Sequence, residues 1–117
     1  MKKNIIREKS FEFALTTMEI VKDLQNKKEY ILSKQLLRSG TSVSANVREA
    51  NNTMTKKDFI YKLNLAQKEC DESLYWVELL HQANLINNEV FEHYKIKAEE
   101  QLKIIKSNIL TSRKNLN

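Results

Sequence analysis

The sequence predicts an all-α protein folded as an antiparallel up-down-up-down four-helix bundle. Three observations carry this. The 117 residues contain no proline and one glycine, which argues against a turn-rich β fold and for long helices with few connections. Apolar and small residues recur with alternating four- and three-residue spacing through two long stretches, the rhythm of a helix packed in a bundle. Short polar links separate four stretches of comparable length, and short links make sequential helices antiparallel neighbours.

Residues 1–9 carry Lys2, Lys3, Arg7 and Lys9 against Glu8 alone, and are expected to form a frayed basic lead-in. The first helix is placed at 10–26. Ser10 is its expected N-cap, with Phe13 where a capping box would need an acid. Phe11, Ala14, Leu15, Met18, Val21 and Leu24 form its apolar arc, with Phe13 and Ile20 beyond it. The turn at Asn26-Lys27-Lys28 is inferred from bundle geometry, because it lacks Pro and Gly.

The second helix, 29–51, has the seam Leu32, Leu36, Ser39, Val43, Asn46 and Ala50. Its centre, Arg38-Ser39-Gly40-Thr41-Ser42, is made of modest or poor helix formers apart from Arg38. Either a local break or a close helix approach would account for them. The small residues Ala66, Cys70 and Ser73 fall at similar depth on the third helix, so close packing is the better account.

Thr55 followed by Asp58 resembles a capping box and opens the third helix, 56–82. Its seam is Phe59, Leu63, Ala66, Cys70, Ser73, Val77 and Leu80. Ala83-Asn84 can end it, since Asn accepts the left-handed conformation. Asn87 or Asn88 caps the fourth helix, 88–112, whose apolar positions are Phe91, Tyr94, Ala98, Leu102, Ile105 and Ile109. No repeat or composition shift divides residues 1–117, so one domain is expected.

Several function classes are disfavoured. No apolar run approaches the ~20 residues of a membrane span, and the basic N-terminus lacks a signal peptide's apolar region, so the cytoplasm is the expected location. Cys70 is the only cysteine and reads as a small core residue. Glu78-Leu79-Leu80-His81 is one Glu-x-x-His, whereas carboxylate-bridged di-metal bundles use two with further glutamates. His81 fits a helix C-terminus instead. Ser39, Ser42 and Ser44 have no histidine near them, and there is no Gly-rich phosphate loop. Neither a cofactor nor catalysis is expected.

Two surfaces stand out. Net charge is +5 and the pI is near 9.3, with cations concentrated in three places. Lys2, Lys3 and Arg7 mark the first, Lys27 and Lys28 the second, and Lys103, Lys106, Arg113 and Lys114 the third. These are the candidate contacts to RNA or DNA phosphates; a basic surface can also serve solubility alone. The second surface is a leftover stripe on the third helix, Tyr61, Leu65, Trp76 and Leu79, with Glu69 and Glu72 in it. The second helix has a matching stripe containing Arg38, Ser42 and Glu49, and hairpin geometry puts Arg38 at the depth of Glu69. Arg38 is therefore expected to pair with Glu69 or Glu72, within the chain or across a subunit boundary. A buried pair would make Arg38→Ala cost about 3–5 kcal/mol.

The run from Gln35 to Ala50, followed by Asp58-Phe59, Lys62-Leu63, Ala66 and Glu69 to Leu80, resembles the bacterial four-helix bundle family that includes the proteins encoded in 23S rRNA intervening sequences. The resemblance covers about residues 10–110. Lys27-Lys28-Glu29 stands where many members have a Phe-Pro turn, and Glu49-Ala50 where Glu-Gly is common. The resemblance implies an up-down bundle assembled as a ring-like homopentamer. The chain is also similar to the accessory variability determinant proteins of diversity-generating retroelements, basic pentamers that partner a reverse transcriptase and nucleic acid. Two functions follow as expectations: a non-enzymatic homo-oligomer binding RNA or other nucleic acid, or an oligomeric structural adaptor for a protein partner such as a reverse transcriptase.

Overall fold

A computed structural model describes residues 4–115, so Lys2 and Lys3 lie outside the described residues. Four helices follow in order: α1 (Ile5–Asn26), α2 (Ile31–Ala50), α3 (Lys56–Gln82) and α4 (Asn88–Lys114). α1 packs on α2, α2 on α3, α3 on α4, and α4 returns beside α1. Sequential neighbours around one core are what an up-down-up-down bundle requires.

α1 begins before the sequence expectation. Asn4, not Ser10, is its N-cap, with Oδ1 accepting from the Arg7 amide at 3.1 Å. Ser10 is fully buried and donates to the Arg7 carbonyl at 3.1 Å, so residues 5–9, expected to fray, form the first turn and a half of the helix. The buried face also differs. Phe11, Leu15 and Met18 are about half exposed, and the seam runs through Ile6, Ser10, Phe13, Thr17, Ile20 and Leu24. Its spacing is the same 4-3 alternation as in the other helices. It is masked in the sequence because two members carry hydroxyls. Thr17 neutralises the cost of burying its hydroxyl by donating to the Phe13 carbonyl at 2.9 Å.

α2 and α3 bury most of the anticipated seams: Leu36, Ser39, Val43 and Ala50 on one, and Leu63, Ala66, Cys70, Ser73, Val77 and Leu80 on the other. Leu32, Asn46 and Phe59 are only half-buried, and Val47 and Ile60 go deeper. The small centre of α2 serves two neighbours at once. Ser39 faces α3, where its hydroxyl meets that of Ser73 at 3.0 Å. Gly40 faces α1, where a Cβ would lie 2.9 Å from the Thr17 Cβ and nearer still to its two branches. Close approach, not a break, explains Gly40.

The links end α1 and α3 in the same way. Lys28 and Asn84 both adopt left-handed backbone, with φ 63° and 61°. At each, two amides return to the last turn: Lys28 N–H to Gln25 O and Glu29 N–H to Leu24 O, then Asn84 N–H to His81 O and Leu85 N–H to Leu80 O. This is the Schellman closure, which satisfies carbonyls otherwise orphaned at a helix end. Thr55 and Asn87 cap α3 and α4 by accepting from the Asp58 and Val90 amides. His81, in the last turn of α3, stacks on Phe91 with ring centroids 4.3 Å apart.

Candidate functional site

The bundle is 50 Å long, and its topology sorts the basic residues by end. The start of α1, the end of α2, the start of α3 and the end of α4 share one end. Lys56 Nζ donating to the Asn115 carbonyl at 2.9 Å ties the last two together. Arg7, Lys103, Lys106, Arg113 and Lys114 therefore belong to the same end of the molecule, joined by Arg48, Lys56 and Lys57. Acids are interspersed but outnumbered: Glu8 and Glu12 line a groove with Arg7 and Arg48, Glu99 and Glu100 one with Lys103 and Lys106, and Asp58 lies in the first turn of α3. Glu49 is taken up by Lys62, its Oε1 2.7 Å from Nζ, and this bond raises the lysine's pKa. The Arg48 guanidinium lies 5.7 Å from the Phe11 ring centroid, a contact the sequence did not suggest.

Lys27 and Lys28 sit at the opposite end and do not join this cluster. Lys27 Nζ donates to the Leu85 carbonyl at 3.2 Å and lies 3.0 Å from Asp23, so it braces the α1–α2 link against the α3–α4 link. Lys28 occupies the left-handed closure of α1.

On the α2–α3 side, Arg38 bridges two carboxylates of its own chain. Its Nη1 donates to Glu69 Oε2 at 3.0 Å, and its Nη2 pairs with Glu72 Oε2. Trp76 Nε1 donates to the same Glu72 oxygen at 3.0 Å. In the single chain the Arg38 side chain is 48% exposed against 17% for Glu69 and 30% for Glu72, so the pair is half-buried there. Removing Arg38 from the single chain should cost more than the about 0.2–1 kcal/mol of fully exposed pairs and less than the about 3–5 kcal/mol of fully buried ones. Ser42 and Glu49 do not enter the network. Ser42 donates to the Arg38 carbonyl at 2.6 Å, within its own helix, and Glu49 pairs with Lys62. Leu65 is half-buried and Tyr61 exposed beside the network. Tyr75 and Leu79 extend the exposed apolar surface along α3.

Inside the bundle lies a polar layer that sequence reasoning missed. Thr17 Oγ1 and Tyr94 Oη are 2.7 Å apart, and Phe13 packs on the Tyr94 ring at 4.8 Å. Burial pushes the Tyr94 hydroxyl well above the usual phenol range, and its hydrogen bonds to Thr17 and Ser73 offset only part of this. Burial likewise pushes the Cys70 thiol up to about 12, while its Sγ approaches the Ala98 carbonyl at 3.5 Å. Neither group is an acid, base or nucleophile near neutral pH, so this layer positions helices. Among the described residues, no group of three or more His, Cys, Asp and Glu is arranged to hold a metal ion. Among them too, no helix is long and apolar enough to cross a membrane.

The comparisons with known proteins agree with this architecture. A solved structure, described as a protein of unknown function from the S23 ribosomal protein family of Bacteroides thetaiotaomicron, is 44% identical to this chain. It superposes with a TM-score of 0.87, and the match covers 89% of this chain and 97% of that one. No curated protein matches. The 23S rRNA-intervening sequence protein family matches residues 2–107, nearly the whole bundle, and the chain belongs to that family.

Proposed function

We propose that the protein is a non-enzymatic, cytoplasmic homo-oligomer that binds RNA through the basic end of its bundle. The observation that carries this reading is the gathering of Arg7, Lys103, Lys106, Arg113 and Lys114 at one end. The family's tie to 23S rRNA intervening sequences supports RNA as the polyanion. Phosphate contacts of this kind give affinity without base recognition and make it steeply salt-dependent. With about four phosphates neutralised, affinity should fall on the order of a hundredfold between about 50 and about 200 mM salt. Fluorescence anisotropy with a labelled rRNA hairpin measures this, and absence of binding at the lower salt would remove the proposal.

The α2–α3 face supports the assembly half of the proposal, as a pentamer in keeping with the resemblance. Exposed Tyr61, Tyr75 and Leu79, with half-buried Trp76, leave apolar surface beside the Arg38 network, and aromatic residues are enriched at interfaces. The same face favours the second reading, an adaptor for a protein partner. Salt-dependent RNA binding separates the two, and light scattering tests the assembly itself. In the oligomer reading the protein is multimeric and Trp76→Glu shifts it toward monomer. A wild-type monomer at high concentration would leave the face for a different protein.

A further inference from the structure

The basic end contains a groove of about 820 Å³ where α1 and α4 meet the α2–α3 connection. Ile5, Ile6, Ile104 and Phe59 line it with apolar surface, while Asn4, Asn51, Ser107, Asn108 and Lys103 add polar groups. Its volume lies within the range of about 300–1,000 Å³ typical of small-molecule sites.

Charge distinguishes this groove from four others on the bundle. Its lining contains a lysine and no carboxylate. Those four each include acid: Glu19, Asp23 and Glu89 in one, Glu19 in another, Glu8 and Glu12 in a third, Glu99 and Glu100 in a fourth. The amides are also available. Asn4 uses Oδ1 for the α1 cap and Asn108 uses Nδ2 for the Ile104 carbonyl. Asn4 Nδ2, Asn108 Oδ1 and the whole Asn51 amide have no hydrogen-bond partner among the described residues. An apolar and aromatic wall, amides offering both donors and acceptors, and a lysine, flanked outside the groove by Glu99 and Glu100, match the parts of a nucleotide: base face, base edge and phosphate.

We propose that this groove takes one unpaired nucleotide of a bound RNA strand. The base lies against the Phe59–Ile104 wall, its polar edge meets Asn51 and Asn108, and its phosphate meets Lys103. The inference rests on the RNA-binding reading and adds a preference to it: strands with unpaired nucleotides over continuous duplex. A paired base cannot enter, because its edge and both its faces are already occupied.

The test compares anisotropy-measured affinities for a labelled single-stranded RNA and for a duplex of the same sequence. The wild type should prefer the single strand by about tenfold or more, the scale of one stacked base. Asn51→Ala/Asn108→Ala, checked for native helicity by circular dichroism, should reduce that preference several-fold. Excess free adenosine monophosphate should leave the bound strand in place. Equal affinities for strand and duplex, or an unchanged preference in the double variant, would overturn the groove assignment while RNA binding stands. Displacement by the free nucleotide would overturn the commitment to a strand. Binding of neither RNA at low salt would remove both proposals together.

Discussion

A methyl group added at Gly40 meets Thr17 across the α1–α2 contact, with the Thr17 Cβ at 2.9 Å. Thr17 cannot easily retreat, because its hydroxyl is held by both the Phe13 carbonyl and Tyr94. Replacing a mid-helix glycine with alanine normally gains about 1 kcal/mol of helix propensity. Here overpacking, at about 1–3 kcal/mol, opposes and exceeds that gain. Gly40→Ala is therefore expected to lower the urea midpoint, and a raised midpoint would show that the helices can part freely. Cys70 makes a second residue-scale prediction. Its thiol stays protonated in the fold up to about 12, whereas an unfolded thiol ionises near about 8.5. Between these values the unfolded chain holds fewer protons than the native one, so stability falls as pH rises. Urea midpoints measured across that window should decline more steeply for the wild type than for Cys70→Ala. The native thiol should also resist alkylation at neutral pH.

At the scale of the element, the left-handed Lys28 is a point of stored cost. A residue with a Cβ at φ 63° is less stable there than glycine, and the Schellman closure around it holds the conformation in place. Lys28→Gly should raise stability by roughly 1 kcal/mol, read from urea denaturation; a loss would mean that its side chain supports the link. The elements also show what a sequence reveals. The α2 and α3 seams were legible because apolar and small residues mark them at regular spacing, and the Arg38–Glu69 pairing followed from counting depth along a hairpin. The α1 seam was not, because Ser10 and Thr17 are polar by composition and apolar by position once their hydroxyls bond to backbone carbonyls. The early start of α1 was hidden because Ser10 is a favoured cap type, although it lies buried inside the helix that Asn4 caps. The polar layer around Tyr94 joins residues 77 positions apart, beyond the reach of any local pattern.

Across the whole molecule, function depends on which charges the topology brings together. The three basic stretches of the sequence become one cluster and one separate pair. Residues 103–114 reach the end where α1 begins, while Lys27 and Lys28 lie at the other end of a 50 Å bundle. That separation exceeds the Debye length of about 10 Å at 0.1 M salt, so the ends act independently on a polyanion. The up-down-up-down order expected from the sequence already implies this sorting of the residues into ends. The most direct test reverses equal charge at each end and measures RNA affinity across a salt series. Lys103→Glu/Lys106→Glu should weaken binding by about tenfold or more and reduce the salt slope by about two, while Lys22→Glu/Lys28→Glu should change affinity by less than about twofold. Equal losses from the two ends, or no loss from the first pair, would contradict an RNA-binding surface at the end where α1 begins and α4 finishes.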